Sequence, residues 1–130
     1  MTSTATKRSL QPAGVPATFY PQGLEVTGAQ KLVFVSGQIG TDDDGSWPEG
    51  VQDQARLVIA RVSAVLAEAG LGLADVVKLS IYLTDPADYE PFLAVAGEII
   101  GQPRFTVTGM VVSFLSDPAQ KVEIEAIAAA

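Results

Sequence analysis

Neither cysteine nor histidine occurs among the 130 residues. Without thiols there can be no disulfide, thiolate nucleophile or cysteine metal site. Without imidazole the usual general base and the commonest metal ligand are also missing. Basic residues are few: eight Lys and Arg face fifteen Asp and Glu, for a net charge of −7. Phosphate backbones and anionic membranes are captured through Lys and Arg, so neither nucleic acid nor a membrane is an expected partner. Long apolar runs are lacking as well, because residues 9–24 and 105–116 are broken by proline or fall short of the roughly 20 residues that span a bilayer. Lys7-Arg8 has no apolar segment behind it to make a targeting signal, and the expected location is the cytoplasm. Gly37-Gln38-Ile39-Gly40 lacks the spacing of a phosphate loop, and Asp42-Asp43-Asp44 lacks the closing glutamate of a calcium loop. Neither run marks a phosphate or calcium site. Any catalysis must use carboxylates, hydroxyls, arginine, backbone amides or water.

What is present suits one folded domain: 48% of residues are hydrophobic and 18% charged, outside the disordered range. Residues 1–17 carry Ser, Thr, Pro and Gly without periodicity and are expected to be an N-terminal arm. Residues 18–130 are expected to be a single domain. A strand is expected from Phe19 to Val26. Lys31–Ser36 carries apolar side chains at both parities, the pattern of a strand buried on both faces. Val51, Ala55, Val58, Val62, Val65, Leu66 and Ala69 fall on one helical face, with Gln52, Gln54, Arg56, Arg61 and Glu68 placed elsewhere on the wheel. Gly70 is positioned to cap that helix. Residues 76–83 alternate, with Leu79, Ile81 and Leu83 opposite Lys78, Ser80 and Tyr82. A second helix follows, capped by Asp85 or Asp88 and stopped at Gly101, then strands over residues 105–115 and 120–127.

The order β-β-α-β-α-β-β predicts an α+β mixed sheet with two helices on one face. The other face then needs cover, and the apolar residues at both parities predict a homo-oligomer that supplies it. Five side chains are candidates for chemistry. Arg104 stands alone in a neutral stretch where a strand begins, and could clamp a carboxylate or make an interface ion pair. Glu123 and Glu125 share one face of the last strand, as a solvated edge or as a carboxylate able to deprotonate water. Ser36, before Gly37, and Tyr20, before Pro21, place hydroxyls at strand ends.

Together, Tyr20-Pro21-Gln22-Gly23, Ser36-Gly37-Gln38-Ile39, the Ala69-Gly70 helix end with Asp75-Val76-Val77-Lys78, and Val122-Glu123-Ile124-Glu125-Ala126 form a series. From about Tyr20 to Ile127 the chain resembles the RidA (YjgF-like) family of enamine/imine deaminases. The resemblance implies a chorismate-mutase-like α+β fold, a homotrimer with inter-subunit active sites, and cofactor-free hydrolysis of small 2-enamino or 2-imino acids to 2-keto acids and ammonia. It implies that Glu123 activates water, that Arg104 binds the substrate carboxylate, and that Tyr20, Ser36 and Gly37 line the substrate. The segment from Arg104 to Glu123 is a few residues longer than the family's, so counting back from Glu123 puts Thr108 at the arginine position. Leu93 and Phe105 also stand where many members carry Asn or a small polar residue. A noncatalytic trimer that binds a metabolite or protein, with Thr108 in place of the arginine, is the alternative. Ribonuclease activity, reported for some relatives, fits poorly with −7 and no histidine.

Overall fold

The computed structural model describes residues 4–130. Residues 1–3 of the expected arm lie outside the described residues. Strands β1 (Thr6–Leu10) and β2 (Gly23–Thr27) form an antiparallel hairpin. Strands β3 (Leu32–Gln38), β4 (Val76–Leu83), β5 (Thr106–Val111) and β6 (Val122–Ala129) form a mixed sheet in the order β3-β6-β4-β5. Helices α1 (Val51–Glu68) and α2 (Tyr89–Ile100) complete the fold. The expected α+β class is present, with one strand more than expected. Residues 6–10 become a strand because β2 offers them a partner, a long-range pairing that local composition does not encode.

Elsewhere the boundaries follow local chemistry. Helix α1 ends in a Schellman motif: Gly70 takes a positive φ of 74°, and the Leu71 and Gly70 amides donate to the Leu66 and Ala67 carbonyls at 3.0 Å each. Asp85 caps a short 3-10 turn at Pro86–Asp88 by accepting from the Ala87 amide at 2.9 Å, and α2 starts directly after it, with Pro91 in its first turn. Asp88 makes no side-chain cap. Gly101, at φ 71°, stops α2.

The alternation of β4 holds as written: Leu79, Ile81 and Leu83 are buried, and Lys78, Ser80 and Tyr82 line the opposite face. In β6, Val122, Ile124, Ala126 and Ala128 are buried in register with them. Helix α1 covers this face through Val51, Ala55, Val58, Ile59, Val62 and Leu66. Three positions differ from the expected wheel: Ile59, 3% exposed, joins the inner face. Gln54 is fully buried, and Val65 is 37% exposed. The far face of the sheet carries no helix, and Leu32 and Phe34 stand on it 61% and 70% exposed. Among the described residues no helix is long and apolar enough to cross a membrane.

Candidate functional site

Strand β6 places its two glutamates on the open face, and each has a partner. The Tyr82 hydroxyl donates to Glu125 Oε1 at 2.6 Å, which raises the Tyr82 pKa above the ordinary phenol value, because ionising would forfeit that bond and set two negative charges side by side. Glu123 is held differently. Gln120 Nε2 donates to its Oε1 at 3.0 Å, while Oε2 rests against the backbone at Gly37. A Cβ built on Gly37 would come 1.9 Å from that Oε2, so glycine is what admits the carboxylate. Oε2 accepts no hydrogen bond from the described residues, which leaves a lone pair for a water.

The seat is built from several directions. The pairing of β3 with β6 shifts register between Val35 and Gln38, a bulge that displaces Ser36 and Gly37 from the regular ladder. Arg61 on α1 then ties down the chain that follows, donating to the Ile39 carbonyl and to the Thr41 carbonyl at 2.6 Å. Gly40 fits against the backbone of Gln54, where a Cβ would lie 2.4 Å from the carbonyl oxygen. The buried Gln54 side chain donates to the Pro48 and Ala119 carbonyls at 2.8 and 2.9 Å and accepts from the Lys121 amide at 2.8 Å. Gln120, also buried, accepts from the Ser116 amide and hydroxyl, which can only donate to its oxygen in this arrangement, and so turns its Nε2 toward Glu123.

Neither glutamine is among the sequence candidates, though both carry a signal. Gln120 has the parity of the buried Val122, Ile124 and Ala126, and Gln54 falls three residues after Val51 and four before Val58. A polar residue on an inward face is one that needs partners.

Arg104 and Tyr20 meet elsewhere, in a depression of about 670 Å³ that Ser9, Gln11 and Gln102 help to line. No described side chain forms an ion pair or hydrogen bond with Arg104. Tyr20 packs edge-on against Phe19, with ring centroids 4.9 Å apart. Thr108 faces the same side of β5 as Thr106 and accepts a 2.6 Å hydrogen bond from Lys78 Nζ. It lines a second cavity, about 390 Å³, together with Tyr20, Leu93 and Met110. The structure therefore groups Arg104 with Tyr20, Thr108 with Tyr20, and Glu123 with Gly37. It does not bring Arg104 to Glu123 within one chain. Thr106 pairs with Lys78 and Glu123 pairs with Tyr82, so with Arg104 two residues before Thr106 the two lie about six residue levels apart, roughly 20 Å along the strands.

The acidic loop closes on itself. The Ser46 amide and hydroxyl donate to Asp44 Oδ1 at 3.0 and 2.6 Å, holding the Asp44 carboxyl below its ordinary value. No group of three potential ligands able to hold a metal occurs among the described residues.

Residues 12–130 match the family model described as Endoribonuclease L-PSP. TdcF of Escherichia coli strain K12, named as a reactive intermediate deaminase, is 36% identical over 112 residues, 84% of each chain. The mitochondrial protein mmf2 of Schizosaccharomyces pombe is 39% identical over 101 residues, 75% of this chain and 79% of its own. A crystal structure of E. coli TdcF with bound serine superposes with a TM-score of 0.71 at 33% identity, covering 92% of both chains. The Rid protein YyfB of Yersinia pestis superposes at 0.82 over 95% of this chain and 98% of its own, at 24% identity, a likeness of fold.

Proposed function

The chain belongs to the Endoribonuclease L-PSP, or RidA (YjgF-like), family, and from that premise we propose that it hydrolyses small reactive 2-enamino and 2-imino acids to 2-keto acids and ammonia. One observation carries the reading: the Glu123 carboxylate, oriented by Gln120 and admitted by Gly37, keeps one oxygen available against the Gly37 backbone. The reaction asks little more of the protein. The enamine tautomerises to the imine. Glu123 takes a proton as water adds to the imine carbon, forming the C–O bond. It delivers that proton to nitrogen to give the carbinolamine, then carries the hydroxyl proton to nitrogen as the C=O bond forms, the C–N bond breaks and ammonia leaves the keto acid. Arg104 neutralises and orients the substrate carboxylate through paired hydrogen bonds, and Tyr20 and Ser36 lie beside it.

With Arg104 and Glu123 roughly 20 Å apart, we take one chain to supply only part of each site. We assign the remainder to a second copy in a homotrimer, whose contact also covers Leu32 and Phe34 on the bare face of the sheet. This assembly suits a cofactor-free protein of the cytoplasm.

Coupling an amino-acid oxidase to the protein tests the reading by release of ammonia and keto acid from the nascent imine. Wild type is expected to accelerate release, and Glu123→Ala to lose about 10²- to 10⁴-fold of the acceleration while folding normally. Equal release by both, at the uncatalysed rate, overturns hydrolysis. A second reading, a noncatalytic metabolite-binding trimer, is favoured by Thr108, which stands at the arginine position counted back from Glu123 with its hydroxyl held by Lys78 on the open face of the sheet. It predicts ligand-induced gains in melting temperature without turnover.

A further inference from the structure

Helix α2 packs on α1 and stands away from the edge strand β5, so the inner face of β5 is left open beneath it. Three depressions there run together. The one holding Arg104 shares Phe19, Ile100 and Pro103 with an apolar middle section of about 240 Å³. That section shares Phe19, Ile81, Leu93 and Val107 with the cavity at Thr108 and Met110. Among the described residues Arg104 is the only charged side chain on the lining from end to end.

Two glycines open the floor and the roof. Gly109 in β5 has only Ile81 within 4.0 Å of where a Cβ would be, and Gly97 in α2 has nothing. A larger residue at either place would project into the space between helix and strand. Phe19, itself 49% exposed, borders all three sections. The result is a trough with one cation, unpaired among the described residues, at its end and hydrocarbon along its length, and its larger apolar section, about 390 Å³, falls in the size range of small-molecule sites.

Resting on the hydrolase reading above, we infer that this trough selects 2-imino acids with a large apolar or aromatic side chain: the carboxylate meets Arg104, and the side chain lies between α2 and β5. Charge complementarity sets the direction of the ligand, since only the Arg104 end compensates an anion. A single methylene in an apolar pocket is worth about 10- to 200-fold in discrimination, so the preference is expected to be large. A short side chain leaves the trough filled with water and gains nothing from it.

Calorimetric titration with phenylpyruvate and with pyruvate, stable keto acids with the same carboxylate, tests this directly on the full chain. Phenylpyruvate is expected to bind at least about tenfold more tightly. Gly109→Leu, and Gly97→Leu as an independent variant should the strand not tolerate the first, are expected to bring the ratio close to one, with circular dichroism confirming the fold. Equal affinities in wild type, a ratio unmoved in both folded variants, or no binding of either acid overturns the inference. Turnover of the imines from phenylalanine and alanine separates the two claims. Preferential binding without turnover sinks hydrolysis and leaves the trough; turnover with no side-chain preference does the reverse.

Discussion

The carboxylate end of the candidate site and its guanidinium end are built in opposite ways. Around Glu123, two buried glutamines, a bulge, two glycines without room for a Cβ, and an arginine clamp on the following loop leave the carboxylate one place to be. Arg104 has no partner among the described residues and sits in an open depression beside half-exposed Tyr20. Pre-organisation belongs where a proton must move over a short distance, because misplacement by about 1 Å costs of order 10²-fold. A charged anchor for a carboxylate tolerates looseness, and an unpaired arginine keeps its donors for a ligand.

The contrast is easiest to break in the buried network. Gln54→Leu would leave the Pro48 and Ala119 carbonyls and the Lys121 amide unpaired in the interior, and is expected to cost on the order of 3 kcal/mol. Thermal denaturation should register that as a fall of about 10 °C. Arg104→Ala, at the open end, should stay within about 0.5 kcal/mol of wild type in the same experiment. Comparable losses from the two changes would show that the ends are equally structural.

A smaller energetic effect with a sharper functional edge is expected from Gly37→Ala. The new methyl displaces the Glu123 carboxylate, the mobile end of a side chain, so the fold survives while imine turnover falls about 10²-fold. Unchanged turnover in a folded Gly37→Ala protein would detach Glu123 from the chemistry.

Tyr82→Phe should have the least effect and discriminates by pH. The Tyr82 hydroxyl donates to Glu125, and its folded-state pKa is raised, so its contribution is full below the unfolded tyrosine value of about 10 and is lost as pH climbs through the raised one. Urea denaturation should therefore show a modest deficit for Tyr82→Phe at pH 7 that closes at strongly alkaline pH. A deficit independent of pH would mean that the hydroxyl acts through packing.

Much of the fold was legible because its signals are local. The alternation of residues 76–83, Gly70 as a left-handed cap and Gly101 as a stop each depend on a few neighbouring residues, and each is found where the pattern puts it. Strand β1 was not legible, since residues 6–10 acquire their conformation from β2, some twenty residues away. The wheel places Gln54 away from the apolar face because it is polar; its burial depends on the Pro48 carbonyl just before the helix and on the Ala119 carbonyl 65 residues away. The strand pattern leaves Glu123 and Glu125 alike, and only the family resemblance singles out Glu123; what separates them in the structure is a hydrogen bond to Gln120 in one case and to Tyr82 in the other.

By itself, the missing histidine and cysteine determined that any hydrolytic chemistry here falls to carboxylate, guanidinium, hydroxyl and water, because composition bounds the proton-transfer groups a chain can offer whatever its shape. Only the tertiary structure decided how those groups are distributed. Strand register sets Arg104 and Glu123 about six levels apart on the sheet, roughly 20 Å, and since a strand advances by about 3.3 Å per residue no side chain closes that gap.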